Sequence, residues 1–227
     1  MIWTDAQRAR WFPTVGFSDL ADLAVGTLWD ETTHRNPCCR EAGHAMTATA
    51  LLWGLARHAS LGRASPRLVE IGVQRGCSTQ VLLSVAAAMD GHLWSMDTDP
   101  FCGEGALRAA VARHGWLDRW TFRAGPSQTQ PPIPDTDFLL VDGDHGYAAV
   151  CADMATHGTA VRPGGLIVLD DYHHTFFGKV RWVQERWTEL QPLTIGPHVV
   201  IVRQPEHTGL FQRDYSGERW EWSLKGA

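Results

Sequence analysis

From residue 66 onward, short apolar runs alternate with stretches of helical period. The runs are 68–73, 93–96, 120–123, 138–141, 166–169 and 199–202, with a further short one at 193–195. Between them, 78–89, 106–114, 147–157 and 179–187 read as helices. Runs this short and this continuously apolar are the pattern of strands buried on both faces, and strand–helix alternation of this kind implies βαβ units around a parallel sheet. Ahead of this region, Ala48, Leu52, Leu55 and Ala59 share one face of a helix over 41–59, which Gly62 and Pro66 bring to an end. Residues 1–40 show no sustained period. From His207 the chain turns polar and is expected to form a packed tail.

Composition narrows the class. With 227 residues, a length of roughly 150 per domain allows one or two domains, and the chain reads as a single one: a leading helical or lid segment (1–60), a core (66–204) and a tail (205–227). The net charge of −5 argues against a nucleic-acid binder. Mean hydropathy is −0.20, and no apolar run approaches the roughly 20 residues of a membrane span. The charged start MIWTDAQRAR lacks the apolar stretch of a secretory signal. The five cysteines are odd in number and include no C-x-x-C pair, so Cys38 and Cys39 are expected to be reduced thiols and the chain cytoplasmic.

In an open α/β sheet, ligands gather at the carboxyl ends of the strands. After the first run stands V-E-I-G-V-Q-R-G-C-S-T, in which Gly72 and Gly76 bracket a tight turn and Ser78 opens a helix whose N-terminus favours an anion. The spacing is G-x-x-x-G, so neither the dinucleotide fingerprint nor the phosphate loop is present. After the second run, Asp97 lies 25 positions beyond Gly72, placed to accept ribose hydroxyls, and is preferred over Asp99 because it ends the strand. After the third come Gly125, Pro126, Ser127 and Gln128, whose small and amide side chains suit an adenine edge. The fourth run ends in D-G-D-H and the fifth in D-D-Y-H-H. Adjacent strands lie about 4.8 Å apart, so Asp142, Asp144, Asp170 and Asp171 would converge at one mouth. Their repulsion calls for a cation, and a hard divalent ion such as Mg²⁺ on Asp142, Asp170 and Asp171 supplies it. The plain alternative is a set of solvated turn acids. Asp144 and His145 would lie beside the ion, where either could take a proton from a bound hydroxyl. His173 and His174 read as surface-loop residues.

The succession V-E-I-G-V-x-x-G-C-S-T, M-D-T-D-P, G-P-S-Q, F-L-L-V-D-G-D-H and R-P-G-G-L-I-V-L-D-D-Y resembles class I S-adenosylmethionine-dependent methyltransferases over about residues 66–204. It is most similar to the metal-dependent small-molecule O-methyltransferases, of the catechol type and of the macrolide-sugar and aminocoumarin tailoring type. The resemblance implies a Rossmann-like, mostly parallel seven-stranded sheet of order 3-2-1-4-5-7-6. It implies that Glu70, Gly72, Gly76 and Ser78 line the methionine part of S-adenosylmethionine, that Asp97 binds ribose, and that Ser127 and Gln128 sit by adenine. Asp142 would serve both cofactor and metal, with Asp170 and Asp171 completing the metal set and Asp144 or His145 as base. The catechol type carries Lys where His145 stands and Asn where Asp171 stands, so the tailoring branch fits better. The acceptor would be a small hydroxylated molecule, and the resemblance implies a homodimer. Competing readings are a nicotinamide-dependent dehydrogenase, an N-methyltransferase, hydrolysis using the same metal, and a non-catalytic cofactor-binding partner protein.

Eleven tryptophans equal the Phe and Tyr together. Most lie outside the cofactor motifs, either as core and lid packing or as walls of an aromatic acceptor pocket, with Trp11, Trp29 and Trp182 as candidates.

Overall fold

The computed structural model describes residues 42–213 except 75, 99–103, 173–177 and 196–197. The expectations for Cys38, Cys39, Asp99, His173, His174, Trp11, Trp29, residues 1–41 and most of the tail lie outside the described residues. Helix α1 (Ala42–Ser60) leads into β1 (Arg67–Ile71), α2 (Cys77–Ala88), β2 (His92–Asp97), α3 (Glu104–Arg113) and β3 (Trp120–Ala124). Then follow β4 (Thr136–Val141), α4 (Tyr147–Thr156), β5 (Val161–Leu169), α5 (Gly178–Gln184), α6 (Trp187–Leu190), β6 (Leu193–Ile195), β7 (His198–Val202) and α7 (His207–Gln212).

The seven strands form one sheet in the order β3-β2-β1-β4-β5-β7-β6, as the resemblance implies. The β1–β5 neighbours pair in parallel, whereas β7 is antiparallel to both β5 and β6. Two residues separate β6 from β7, too few for the crossover a parallel pair needs. Side chains alternate between the two faces of the sheet. Leu68, Phe138, Leu140 and Val168 pack on the face covered by α1, α2 and α3, and Val69, Leu139, Val141 and Ile167 on the face covered by α4, α5 and α7. Both faces are therefore core, which is why the strands read as unbroken apolar runs. No described helix is long and apolar enough to cross a membrane, and among the described cysteines Cys77 and Cys151 form no disulfide.

Part of the expected tail is ordered: α7 buries His207, Leu210 and Phe211. Trp182 is not a pocket wall. It is fully buried against Phe211, with the Arg186 guanidinium 4.6 Å from its ring centroid. Arg186 in turn donates to the carbonyls of Trp182 (3.1 Å), Leu210 (3.1 Å) and Arg213 (2.8 Å), tying α7 to α5.

Candidate active site

The parallel ladder runs one step past the strand ends. The N–H of Gly72 donates to the Met96 carbonyl (2.9 Å), that of Asp142 to the Ile71 carbonyl (2.8 Å) and that of Asp170 to the Val141 carbonyl (3.2 Å). Asp97, Gly72, Asp142 and Asp170 therefore stand side by side along the carboxyl edge of β2, β1, β4 and β5. The polar residues at these strand ends are fixed by the sheet itself.

Gly72 needs its missing side chain. Its φ is +91°, and a Cβ there would lie 2.2 Å from the Asp142 carbonyl oxygen. The turn beyond it is held by Asp97, whose Oδ2 accepts from the N–H groups of Val73 (2.7 Å) and Gln74 (2.9 Å). Gly76, at φ +77°, precedes α2, and a Cβ there would meet Leu107 Cδ1 at 2.4 Å.

Glu70 has a bracing role rather than lining open space. It is fully buried, and it accepts from Ser78 Oγ (2.5 Å), Thr79 Oγ1 (2.8 Å) and Ser95 Oγ (2.7 Å), while Trp120 Nε1 donates to Ser95 (3.1 Å). Burial raises its pKa to about 7; the three hydroxyls oppose that rise, and the Asp97 charge adds to it. The Ser78 hydroxyl, expected at the methionine end, is thus turned to Glu70.

Ser127 and Gln128 form a short 3-10 turn after β3. Both side chains donate to Asp153 Oδ1, Ser127 at 2.6 Å and Gln128 at 2.9 Å, and His157 Nε2 lies 2.9 Å from the Ser127 carbonyl. The sequence reading missed Asp153. It lies inside α4, and only the packing of that helix against the turn brings it there. Burial pushes its pKa up to about 6, against the two hydrogen bonds and with help from the Asp144 charge.

At the acidic mouth, Asp142, His145 and Asp171 each offer a ligand atom, and these atoms lie within 4.8 Å of one another. His145 Nε2 is 3.9 Å from Asp171 Oδ2. Asp171 adopts φ +57°, a left-handed conformation that Asp tolerates better than most residues. Asp170, expected as a ligand beside Asp142 and Asp171, is engaged by neighbours of its own. Its Oδ1 meets His198 Nδ1 at 2.8 Å and accepts the Asp171 N–H at 2.7 Å. Burial would raise the Asp170 pKa, but the hydrogen bond and charge of His198, the Asp171 N–H and the Lys179 ammonium hold it below the usual carboxylate range. Asp142 goes the other way. Burial, then Asp170, push it well above that range, Lys179 opposes, and Asp171 and Glu70 add to the rise. Lys179 Nζ lies 3.6 Å from Asp142 Oδ1. Asp144 is exposed, and its Oδ1 accepts the Gly146 N–H at 2.7 Å ahead of α4.

Two carboxylates and an imidazole within ligand reach, on a rigid strand-end frame, suit a divalent cation. A glycine turn beside an acidic strand end suits a nucleoside-bearing ligand. Comparisons with known proteins bear on the fold and the family. Residues 69–172 match a methyltransferase domain family. The fold is similar to that of the O-methyltransferase NovP (TM-score 0.56, 21% identity, 82% of this chain and 97% of that one). It is also similar to the O-methyltransferase TomG from Streptomyces achromogenes, involved in tomaymycin synthesis and solved with SAM (TM-score 0.53, 17% identity, 86% and 98%). A third is CalS11, a TDP-rhamnose 3'-O-methyltransferase of calicheamicin biosynthesis (TM-score 0.59, 12% identity, 89% and 96%). No curated protein sequence matches.

Proposed function

We propose that this chain, which carries a methyltransferase domain at residues 69–172, moves a methyl group from S-adenosylmethionine to a hydroxyl of a small natural-product or sugar-like acceptor, aided by a divalent ion such as Mg²⁺. The observation that carries the reading is the Asp142–His145–Asp171 group, whose ligand atoms lie within 4.8 Å at the carboxyl edge next to the Gly72 turn. The acceptor class is supported by the chemistry named for NovP, TomG and CalS11.

The chain's residues divide the work. Gly72 and Gly76 open the turn where the cofactor's methionine end would lie, and Glu70, through Ser78 and Thr79, holds that turn against α2. Asp97, braced by two backbone N–H groups, faces the ribose position. The Ser127–Gln128 turn, set by Asp153, borders the adenine side. Asp142 and Asp171 would hold the ion, and Asp170 backs them from His198. A bound divalent ion would acidify the acceptor hydroxyl and fix its direction. S-adenosylmethionine would supply an activated methyl on sulfur, so alignment provides much of the rate. Of the two base candidates, the geometry favours His145, which stands among the carboxylates, whereas Asp144 serves the turn before α4.

The test is mass spectrometry of hydroxylated metabolites incubated with protein and S-adenosylmethionine. Methylated product is expected with Mg²⁺ and not with D142N. Full turnover in excess chelator would remove the ion from the reading. A methylated amine with no methylated hydroxyl would move the activity to nitrogen.

A further inference from the structure

Lys179 is fully buried, yet its ammonium reaches the acidic mouth, 3.6 Å from Asp142 Oδ1. Its starting point is fixed by backbone. Gly178, the first residue of α5, donates its N–H to the His145 carbonyl at 2.7 Å, and a Cβ on it would lie 2.1 Å from Tyr147 N. The helix is clamped further along its length: Glu185, one residue past its end, accepts from the Tyr147 hydroxyl, and Arg181 lies 4.1 Å from the Tyr147 ring centroid. The ammonium is therefore delivered to one place and has little freedom to leave it.

A buried ammonium is costly without opposite charge around it. Carboxylates crowded at one strand edge are costly without a cation. One contact answers both needs, and the ammonium acts on Asp142 and Asp170 together.

We propose that Lys179 is a built-in cation of this mouth, a positioning residue that holds Asp142 in place and competes with a divalent ion for its carboxylate. The inference rests on the reading that the ion binds at Asp142 and Asp171. The ammonium cannot swing into solvent when the ion enters, so repulsion between the two persists in the loaded state. The ion is then held weakly and exchanges readily, while the mouth stays ordered without it.

Calorimetric titration of Mg²⁺ at pH 8 into the wild type, K179M, K179R and D142N tests this. K179M is close in shape and carries no charge, so it should bind Mg²⁺ about tenfold tighter or more. K179R, which keeps the charge, should bind as weakly as the wild type. In the absence of the ion K179M should melt lower, and Mg²⁺ should restore its melting temperature. If K179M fails to fold, K179Q takes its place with the same expectation. Equal or weaker binding by the folded neutral variant overturns the proposal. If it fails in that way while D142N abolishes binding, Lys179 alone is misassigned. If D142N binds Mg²⁺ as the wild type does, or no variant binds it, the metal reading fails and the proposal with it.

Discussion

His198 Nδ1 lies 2.8 Å from Asp170 Oδ1, because the antiparallel β5–β7 register that pairs Leu169 with Val199 sets the next residues opposite each other. His198 is almost wholly buried, so this contact is not diluted by solvent. It is a main reason why the Asp170 carboxyl titrates below the usual range despite its burial. In H198A that support is gone and burial dominates, so the Asp170 pKa rises. If the ionised carboxylate is needed at the mouth, the acid limb of the kcat/KM profile should move to higher pH. Activity at pH 8 should suffer less than activity at pH 6. An unmoved acid limb would show that Asp170 ionisation does not govern turnover.

Asp171 combines a charge with an unusual backbone, and two substitutions separate them. At φ +57°, Ala should cost about 1 kcal/mol of stability, while Asn, which tolerates this conformation, should cost almost nothing. Ala removes the ligand oxygens, whereas Asn keeps an amide oxygen and removes only the charge. D171N is therefore expected to melt like the wild type and to bind Mg²⁺ more weakly while keeping part of the Mg²⁺-dependent activity. D171A should lose both. Thermal melts beside initial rates read the two effects independently.

His145 stands close enough to Asp171 to act as a third ligand or as the proton acceptor. The two roles leave different signatures. As base, H145A should lose about 10²–10⁴-fold in kcat with Mg²⁺ affinity within a few-fold of the wild type. As ligand, it should lose affinity first. Calorimetry alongside kinetics decides between them.

The frame of the site was legible in the sequence because it depends on local pattern. Strands buried on both faces read as apolar runs, and the residues just past them, Gly72, Asp97, Asp142 and Asp170, fall at the sheet edge whatever the rest of the chain does. What the sequence hid depends on register and packing. His198 belongs to the mouth through an antiparallel pairing, Lys179 through the docking of α5 on the loop after β4, and Asp153 through the packing of α4 on the turn after β3. None of these sits in a motif. Trp182, left open between core and pocket wall, could not be resolved for the same reason: its spacing from the metal loop says nothing about which face of α5 turns inward, and that face is core. Register also separates Asp170 from Asp171, since only Asp170 lies opposite His198.

Glu70 gives a pH dependence of stability. Its folded pKa is about 7 against an ordinary 4.5, so between these values the folded state binds more protons than the unfolded one. Stability from this group is then present below about pH 4.5 and declines as the pH rises toward 7, by about 3 kcal/mol at most. Histidines such as His157, whose pKa burial lowers, push in the opposite direction near neutrality. The informative quantity is thus the difference between the wild type and E70Q. Urea unfolding at pH 5 and pH 7.5 should show the wild type losing ground relative to E70Q on going to the higher pH. Parallel behaviour of the two would place Glu70 ionised in both states.

Asp153 offers a test of the adenine side that does not touch the metal. Its Oδ1 receives both Ser127 and Gln128, and it lies inside α4. D153A would leave two donors without their acceptor, at about 1–3 kcal/mol if they stay buried. The 3-10 turn can recover part of that by loosening into solvent, and a loosened turn no longer presents a fixed edge. Cofactor binding is therefore expected to weaken about tenfold or more, while Mg²⁺ binding at Asp142 and Asp171 stays as in the wild type. D153N keeps a carbonyl acceptor at Oδ1 and should retain most of the affinity. Titration of S-adenosylhomocysteine into the three proteins measures this. If D153A binds it as tightly as the wild type does, the Ser127–Gln128 turn is not part of the cofactor site.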